Sequence, residues 1–231
     1  MKKKFIFLAL FYSVLSFSQD FEGLGIFKLG KFTTSQLDSL AVSKKFILKE
    51  CDDYSCSSSS AFVKLLPSKL ETYKSPSYSS YSENVKVYQL NGFKLNDKYS
   101  NRGMVLSFYK ETLYKISISS PDNKLTDDIE LKYGKGTLDK RESTDRCRIG
   151  GRSFELPSVT YSKTWNNSAK NFSMLYLLMS GYNSDCDERI ITSISLYDKN
   201  KSVIAEKESD EARKSFSEKI NNEKKKSLND L

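Results

Sequence analysis

Histidine is absent from all 231 residues. That removes the usual general base, the commonest metal ligand and the side chain that titrates near neutrality. Hydrolases built on a Ser-His or Cys-His pair are thereby excluded, as are His-ligated zinc and haem sites. A redox Cys-x-x-Cys is absent too, because the nearest pair, Cys51 and Cys56, has four residues between its members. Beyond the first 15 residues no stretch is apolar enough to cross a bilayer, which takes about 20 residues. Glycine-rich phosphate cradles are missing as well. Gly23-Leu24-Gly25 lacks the third glycine of a dinucleotide fingerprint, and Gly134-Lys135-Gly136 ends a predicted helix instead of opening one.

Residues 1–18 read as a cleavable export signal. Lys2, Lys3 and Lys4 give the basic start, Phe5 to Leu15 is apolar apart from Tyr12 and Ser13, and Ser16 and Ser18 occupy the small positions before the cut. No cysteine lies near that cut, so a lipid anchor is not expected. The Phe-rich core ending in Ser-Phe-Ser-Gln resembles that of bacterial export signals. The expectation is an exported chain, periplasmic or secreted, with no transmembrane anchor after processing.

Cleavage after Ser18 leaves 213 residues, enough for one sizeable core or two small units. Hydrophobic residues at 38% and charged residues at 29% place this part among folded domains, not disordered ones. Removing three lysines with the signal lowers the formal charge from +8 to +5. That modest excess, on an exported chain, implies no nucleic-acid partner.

Four cysteines in an exported chain predict two disulfides. Cys51–Cys56 would close the short polar loop 52–55, and Cys147–Cys186 would join two loops that each precede a strand. A four-cysteine zinc site is the alternative, but structural zinc sites use two close pairs, and Cys147 and Cys186 are far apart in sequence.

Leu24 to Leu29 reads as a strand ended by Gly30, and Thr33, Thr34 and Ser35 cap a short helix carrying Leu37, Leu40 and Ala41. Phe46 to Leu48 is a second apolar run, and Ala61 to Leu66 is either extended or helical. Alternation is strict from Val85 to Leu95, over Met104, Leu106 and Phe108, and over Tyr114, Ile116 and Ile118. Strands wet on one face and buried on the other predict an antiparallel sheet, with a hairpin at 110–112. Leu125, Ile129 and Tyr133 share one helical face, and Gly134 ends that helix in a left-handed conformation. Three strands follow: one through Val159, Tyr161 and Trp165; a central one, Phe172 to Met179, apolar on both faces; and one with Ile190, Ile194 and Leu196 inward. The C-terminal segment is a charged helix with a narrow stripe of Ala212, Phe216 and Ile220.

The predicted fold is α+β, with antiparallel sheet packed by helices on one face and a helix-plus-strands unit occurring twice. Its segments are the signal 1–18, a unit at 19–120 with Ser/Tyr-rich loops, a helix plus three strands at 121–203, and a charged helix or tail at 204–231. Phe27-Lys28-Leu29-Gly30-Lys31 followed by Thr33-Thr34 resembles the strand-to-helix entry of the small periplasmic units of the β-lactamase-inhibitor-like type. The resemblance implies an α+β unit and transfers no functional residue.

Chemistry-bearing motifs are sparse. Ser107-Phe108-Tyr109-Lys110 matches Ser-x-x-Lys but falls in a predicted strand instead of at a helix start. Asp185, Asp187 and Glu188 surround Cys186 and offer oxygen ligands of the kind calcium takes; a solvated turn explains them equally. Asp127 and Asp128 are expected in the first turn of a helix, offsetting its dipole. Tyr54, Tyr73, Tyr78, Tyr81 and Tyr99 lie in predicted loops, where large amphipathic rings make contacts. No catalytic residue, cofactor or metal is expected. The reading is a non-catalytic domain binding a protein or a cell-envelope component; the alternative is a carboxylate-dependent hydrolase acting on carbohydrate, whose two acids would sit about 5–10 Å apart.

Intact mass of the exported protein tests the compartment and the cysteines together. The expected result is a chain starting at Gln19 that takes up no alkylating reagent until it is reduced. Four freely alkylated thiols, or a retained N-terminus, would overturn both expectations.

Overall fold

The computed structural model describes residues 21–51, 60–66 and 80–229. The expected signal, Tyr54, Cys56, Tyr73 and Tyr78 lie outside the described residues.

The chain opens with a two-residue hairpin, β1 (Gly23–Leu24) and β2 (Phe27–Lys28), in place of one continuous strand through Leu29. Helix α1 (Thr34–Ser43) follows. Thr33 and Gln36 form a reciprocal cap: the Thr33 hydroxyl accepts from the Gln36 N–H, and the Gln36 side chain accepts from the Thr33 N–H at 2.9 Å. The helix buries Thr34, Leu37 and Ala41. Then come β3 (Ile47–Cys51), β4 (Ala61–Leu65), β5 (Val85–Leu90), β6 (Gly103–Tyr109) and β7 (Thr112–Ser119). The ambiguous run at Ala61 is therefore a strand. Lys110 and Glu111, both at positive φ, make the tight β6–β7 turn.

Helix α2 (Asn123–Tyr133) begins at Asp122, whose carboxylate accepts from the Lys124 N–H at 2.9 Å. It starts earlier than the sequence suggested, so Asp127 and Asp128 sit beyond its first turn. Gly134 ends it at φ 82° with an extended ψ of −179°, a conformation open to glycine but different from the expected left-handed cap. Four strands follow, not three: β8 (Thr137–Ile149), β9 (Arg152–Asn167), β10 (Phe172–Tyr182) and β11 (Glu188–Asp198). The unexpected one is β8, which is almost wholly polar and exposed. Helix α3 (Lys199–Asn229) begins directly after β11.

Nine strands form one sheet in the order β3-β4-β5-β6-β7-β11-β10-β9-β8. The pairs are antiparallel except β3 with β4, which run parallel. The strand β10, expected at the centre, lies third from the β8 edge; β7 holds the middle.

The core divides by face. On one face α1 and α2 pack on Leu90, Met104, Leu106, Phe108, Ile116, Ile118, Met174, Ile194 and Leu196. On the other, Ala205 of α3 packs with Val87, Val105 and Tyr114, beside Ala61, Val63 and Leu65. The expectation of helices on one face alone is thus corrected. Because α3 grows straight out of β11, the apolar residues Val87 and Val105, which alternate with the main core, give it a second face to cover.

Leu106 is fully buried in the middle of the main core. Leu106→Ala should lower unfolding stability by about 2–5 kcal/mol, read from the urea midpoint at unchanged slope.

Candidate functional site

Strands β8 to β11 run on past α2 and α3, and their register fixes what the uncovered face presents. Met174, Ile194, Leu196 and Trp165 point into the main core. Period-two alternation therefore sends Leu175, Leu177 and Met179 of β10 to the opposite face. Following the pairing outward gives three cross-strand rows. Ser117, Ser195, Leu175, Thr164 and Thr137 are aligned, then Ser119, Ser193, Leu177, Ser162 and Asp139, then Ile191, Met179, Thr160 and Arg141. An apolar ridge thus runs along β10 between columns of hydroxyl side chains. Met179 is 41% and Ile191 52% exposed, and Leu175 and Leu177 are half-buried.

The far end of this face is held by polar clamps. The β9–β10 ladder stops at Val159 and Ser180, just before Pro157, which has no N–H. There the Asp145 carboxylate reaches across from β8 and accepts the Tyr182 N–H at 2.8 Å. It passes over Gly181: a Cβ at that position would overlap the carboxylate and lie 3.1 Å from the Ser158 Cβ. Ser143 and Ser158 share a hydrogen bond of 2.7 Å. Cys147 within β8 and Cys186 in the β10–β11 loop are bonded, with Cα atoms 5.1 Å apart. Cys147 therefore lies in a strand, not in the loop expected for it. Ser143, Asp145, Ser158 and Gly181 border a groove of about 260 Å³ with Thr160, Met179 and Arg189 on its walls.

A larger cleft of about 840 Å³ lies between α3 and the segment entering β5. Tyr81 and Phe216 line it with ring centroids 6.5 Å apart. Glu208 anchors its floor, accepting from the Tyr109 hydroxyl at 2.7 Å, the Asn84 amide at 3.0 Å and the Ser82 hydroxyl at 3.2 Å. Those donors, Tyr109 foremost, hold its carboxyl below the ordinary range.

Other displaced carboxyls follow the same rule. Hydrogen bonds from Lys170 and Lys31 pull Glu22 down to about 2. Lys86 and Thr34 lower Glu111, Lys98 and Tyr99 lower Asp128, the Lys124 N–H lowers Asp122, and Lys140 lowers Glu142. Burial pushes the Tyr88 and Tyr114 phenols up to about 12.

The residues singled out in the sequence scatter. Ser107 is buried in β6, whereas the Lys110 ammonium lies over the Tyr109 ring at 5.4 Å. In the β10–β11 turn the Asn183 side chain accepts from the Asp185 and Asp187 N–H groups and donates to the Asp187 carboxylate at 3.0 Å. Among the described residues no three His, Cys, Asp or Glu side chains are grouped to hold a metal. Tyr99 is buried, not exposed, and donates to Asp128. Cys51 is buried and not free. Of the described loop tyrosines, Tyr81 lines the larger cleft, and Tyr99 lines a smaller one of about 270 Å³ between the β1–β2 hairpin and α2. The open face of β10 was missed because its outward residues were read as part of a two-sided core.

Two outcomes follow. Gly181→Ala should displace Asp145 and free the Tyr182 amide, which then exchanges at least about tenfold faster with deuterium while α1 amides keep their protection. Glu208 titrates lower folded than unfolded, so its contribution to holding α3 is complete above the ordinary value of 4.5 and is lost as pH falls through the lowered folded value. Amides around Ala205 to Ala212 should lose protection in that acid window, and Glu208→Gln should abolish the acid step.

No family model matches the chain, and no curated protein and no solved structure is significantly similar to it.

Proposed function

We propose that this is a non-catalytic binding domain working outside the cytoplasm, and that it binds a protein of the cell envelope through the open face of β8–β11. The observation that carries this is the ridge of Leu175, Leu177 and Met179 with Ile191, left uncovered between hydroxyl columns. Soluble chains seldom expose contiguous apolar surface without a use, and depletion of charge at its centre is the composition of an interface core. Export is supported by the signal-like residues 1–18 and by the Cys147–Cys186 disulfide, a bond that persists in oxidising compartments. The order α1 then β3–β7, α2 then β8–β11 supports a doubled helix-plus-strands design in which the second unit lacks a helix on its outer face. A carbohydrate hydrolase is disfavoured: its general acid needs a raised carboxyl, and the six displaced carboxyls named above are all lowered.

The test is retention from envelope extracts on immobilised, oxidised mature protein. One specific protein should be retained, and Leu177→Asp should cut its retention about tenfold while leaving the melting temperature within a few degrees. Clean eluates at several salt concentrations would overturn the proposal.

A further inference from the structure

The smaller cleft beside Tyr99 takes its walls from three parts of the chain. The β1–β2 hairpin supplies Gly25 and Lys28, the turn before Tyr99 supplies Asn96, and α2 supplies Asp128, Lys132 and Tyr133. Its floor is apolar: Leu24, Leu95, Leu125 and Ile129 line it, each no more than 5% exposed. Local backbone explains why the parts meet there. Asn96 and Asp97 both stand in the left-handed region, at φ 55° and 53°, which short polar residues tolerate. Gly25 faces Asn96 at φ 58°, and a Cβ on it would overlap the Asn96 side-chain oxygen. Glycine thus lets hairpin and turn approach while the Asn96 amide stays at the cleft.

Charge decides what the cleft can take. The acid on its wall, Asp128, is already answered: it accepts from Lys98 at 2.8 Å and from the Tyr99 hydroxyl. Asp97 is held by Lys44 at 2.9 Å. Asp127 sits two residues from both Leu125 and Ile129, and so on the other side of α2. The cations have no such answer. Among the described residues the Lys28 ammonium has no partner, and that of Lys132 has the Tyr133 ring alone, 5.1 Å away. The Asn96 amide and the Tyr133 hydroxyl likewise have no hydrogen-bond partner among the described residues. Donors without acceptors therefore surround an apolar floor, which suits an anionic group on an apolar body. Lysine, unlike arginine, supplies charge without the bidentate fork that matches phosphate. At about 270 Å³ the cleft falls just under the roughly 300–1,000 Å³ of sites for drug-sized ligands, so the molecule it fits is small.

We infer that this cleft binds a small organic carboxylate, its oxygens taken by Lys28, Lys132 and Asn96 and its apolar body lying on Leu24, Leu125 and Ile129. The site is separate from the open surface of β8–β11, because α2 packs on the opposite face of the sheet.

Amide chemical-shift titration of the purified, oxidised protein with hexanoate tests it. Saturable shifts are expected at Gly25, Asn96 and Lys132, with a Kd of about 1 mM or tighter. Lys28→Gln and Lys132→Gln should each weaken binding at least about threefold, and together at least about tenfold. Lys124→Gln removes the same charge from the start of α2, outside the cleft, and should leave the affinity within about twofold. Hexylammonium, with the same apolar body and the opposite charge, should shift none of these amides. No saturable shift at up to about 20 mM hexanoate overturns the site. So does equal binding of hexylammonium, an affinity unchanged in the double variant, or a loss as large with Lys124→Gln.

Discussion

The whole sheet depends on one seam, the pairing of β7 with β11. It joins the strands that follow α1 to the strands that follow α2, and it spans only Lys115 to Ser119. Within it Ile116 faces Leu196 and Ile118 faces Ile194, all at or below 1% exposure. Each side chain of this size gains about 1.5–3 kcal/mol on burial, so four of them outweigh what the few ladder hydrogen bonds contribute alone. The same four residues belong to the core to which both α1 and α2 contribute. Neither strand group closes this core by itself, because Leu125 and Ile129 of α2 complete the layer to which Leu37 and Ala41 of α1 also belong.

Away from the seam the means of stabilisation change. On the α1 side, burial dominates. Toward β8 the helices no longer reach, and burial gives way to specific clamps: the Asp145–Tyr182 hydrogen bond, the Ser143–Ser158 pair and the Cys147–Cys186 bond. A disulfide between β8 and the β10–β11 loop restricts the unfolded chain without needing a core around it. Long paired strands supply the rest, with β8 and β9 in register over thirteen residue pairs. This is how a thin, two-sided sheet stays ordered where little apolar surface is buried.

How much of this was legible follows from what each element buries. The strands β5, β6 and β7 alternate in sequence because one row packs into the main core, and α1 announced itself through the cap residues from Thr33 as well as through Leu37 and Ala41. The strand β8 left no such trace: an edge strand with both faces wet has no apolar period to read. Phe172 to Met179 looked central because it is apolar on both faces, yet the apolar residues of its second face are the exposed ones. Sequence records that a residue is apolar, and cannot distinguish a neighbour supplied by the same fold from one supplied by a partner. The side on which α3 packs was illegible for a similar reason, since Val87 and Val105 read as ordinary members of their strands until the helix lies over them.

That ambiguity also bears on what kind of recognition this surface performs. Loop tyrosines suggested contacts made by large amphipathic rings, but Tyr99 is locked inward by Asp128 and the exposed ridge sits on paired strands instead. A rigid sheet loses little backbone freedom when it is covered. Its serines and threonines lose less side-chain entropy than lysines or glutamates would in their place. The ridge of Leu175, Leu177 and Met179 with Ile191 carries no charge, so a partner there would gain its binding energy on contact more than by long-range steering. On the binding reading, recognition there would be governed by fit, since a partner must match the spacing of the apolar ridge and its hydroxyl columns, which the strands themselves set.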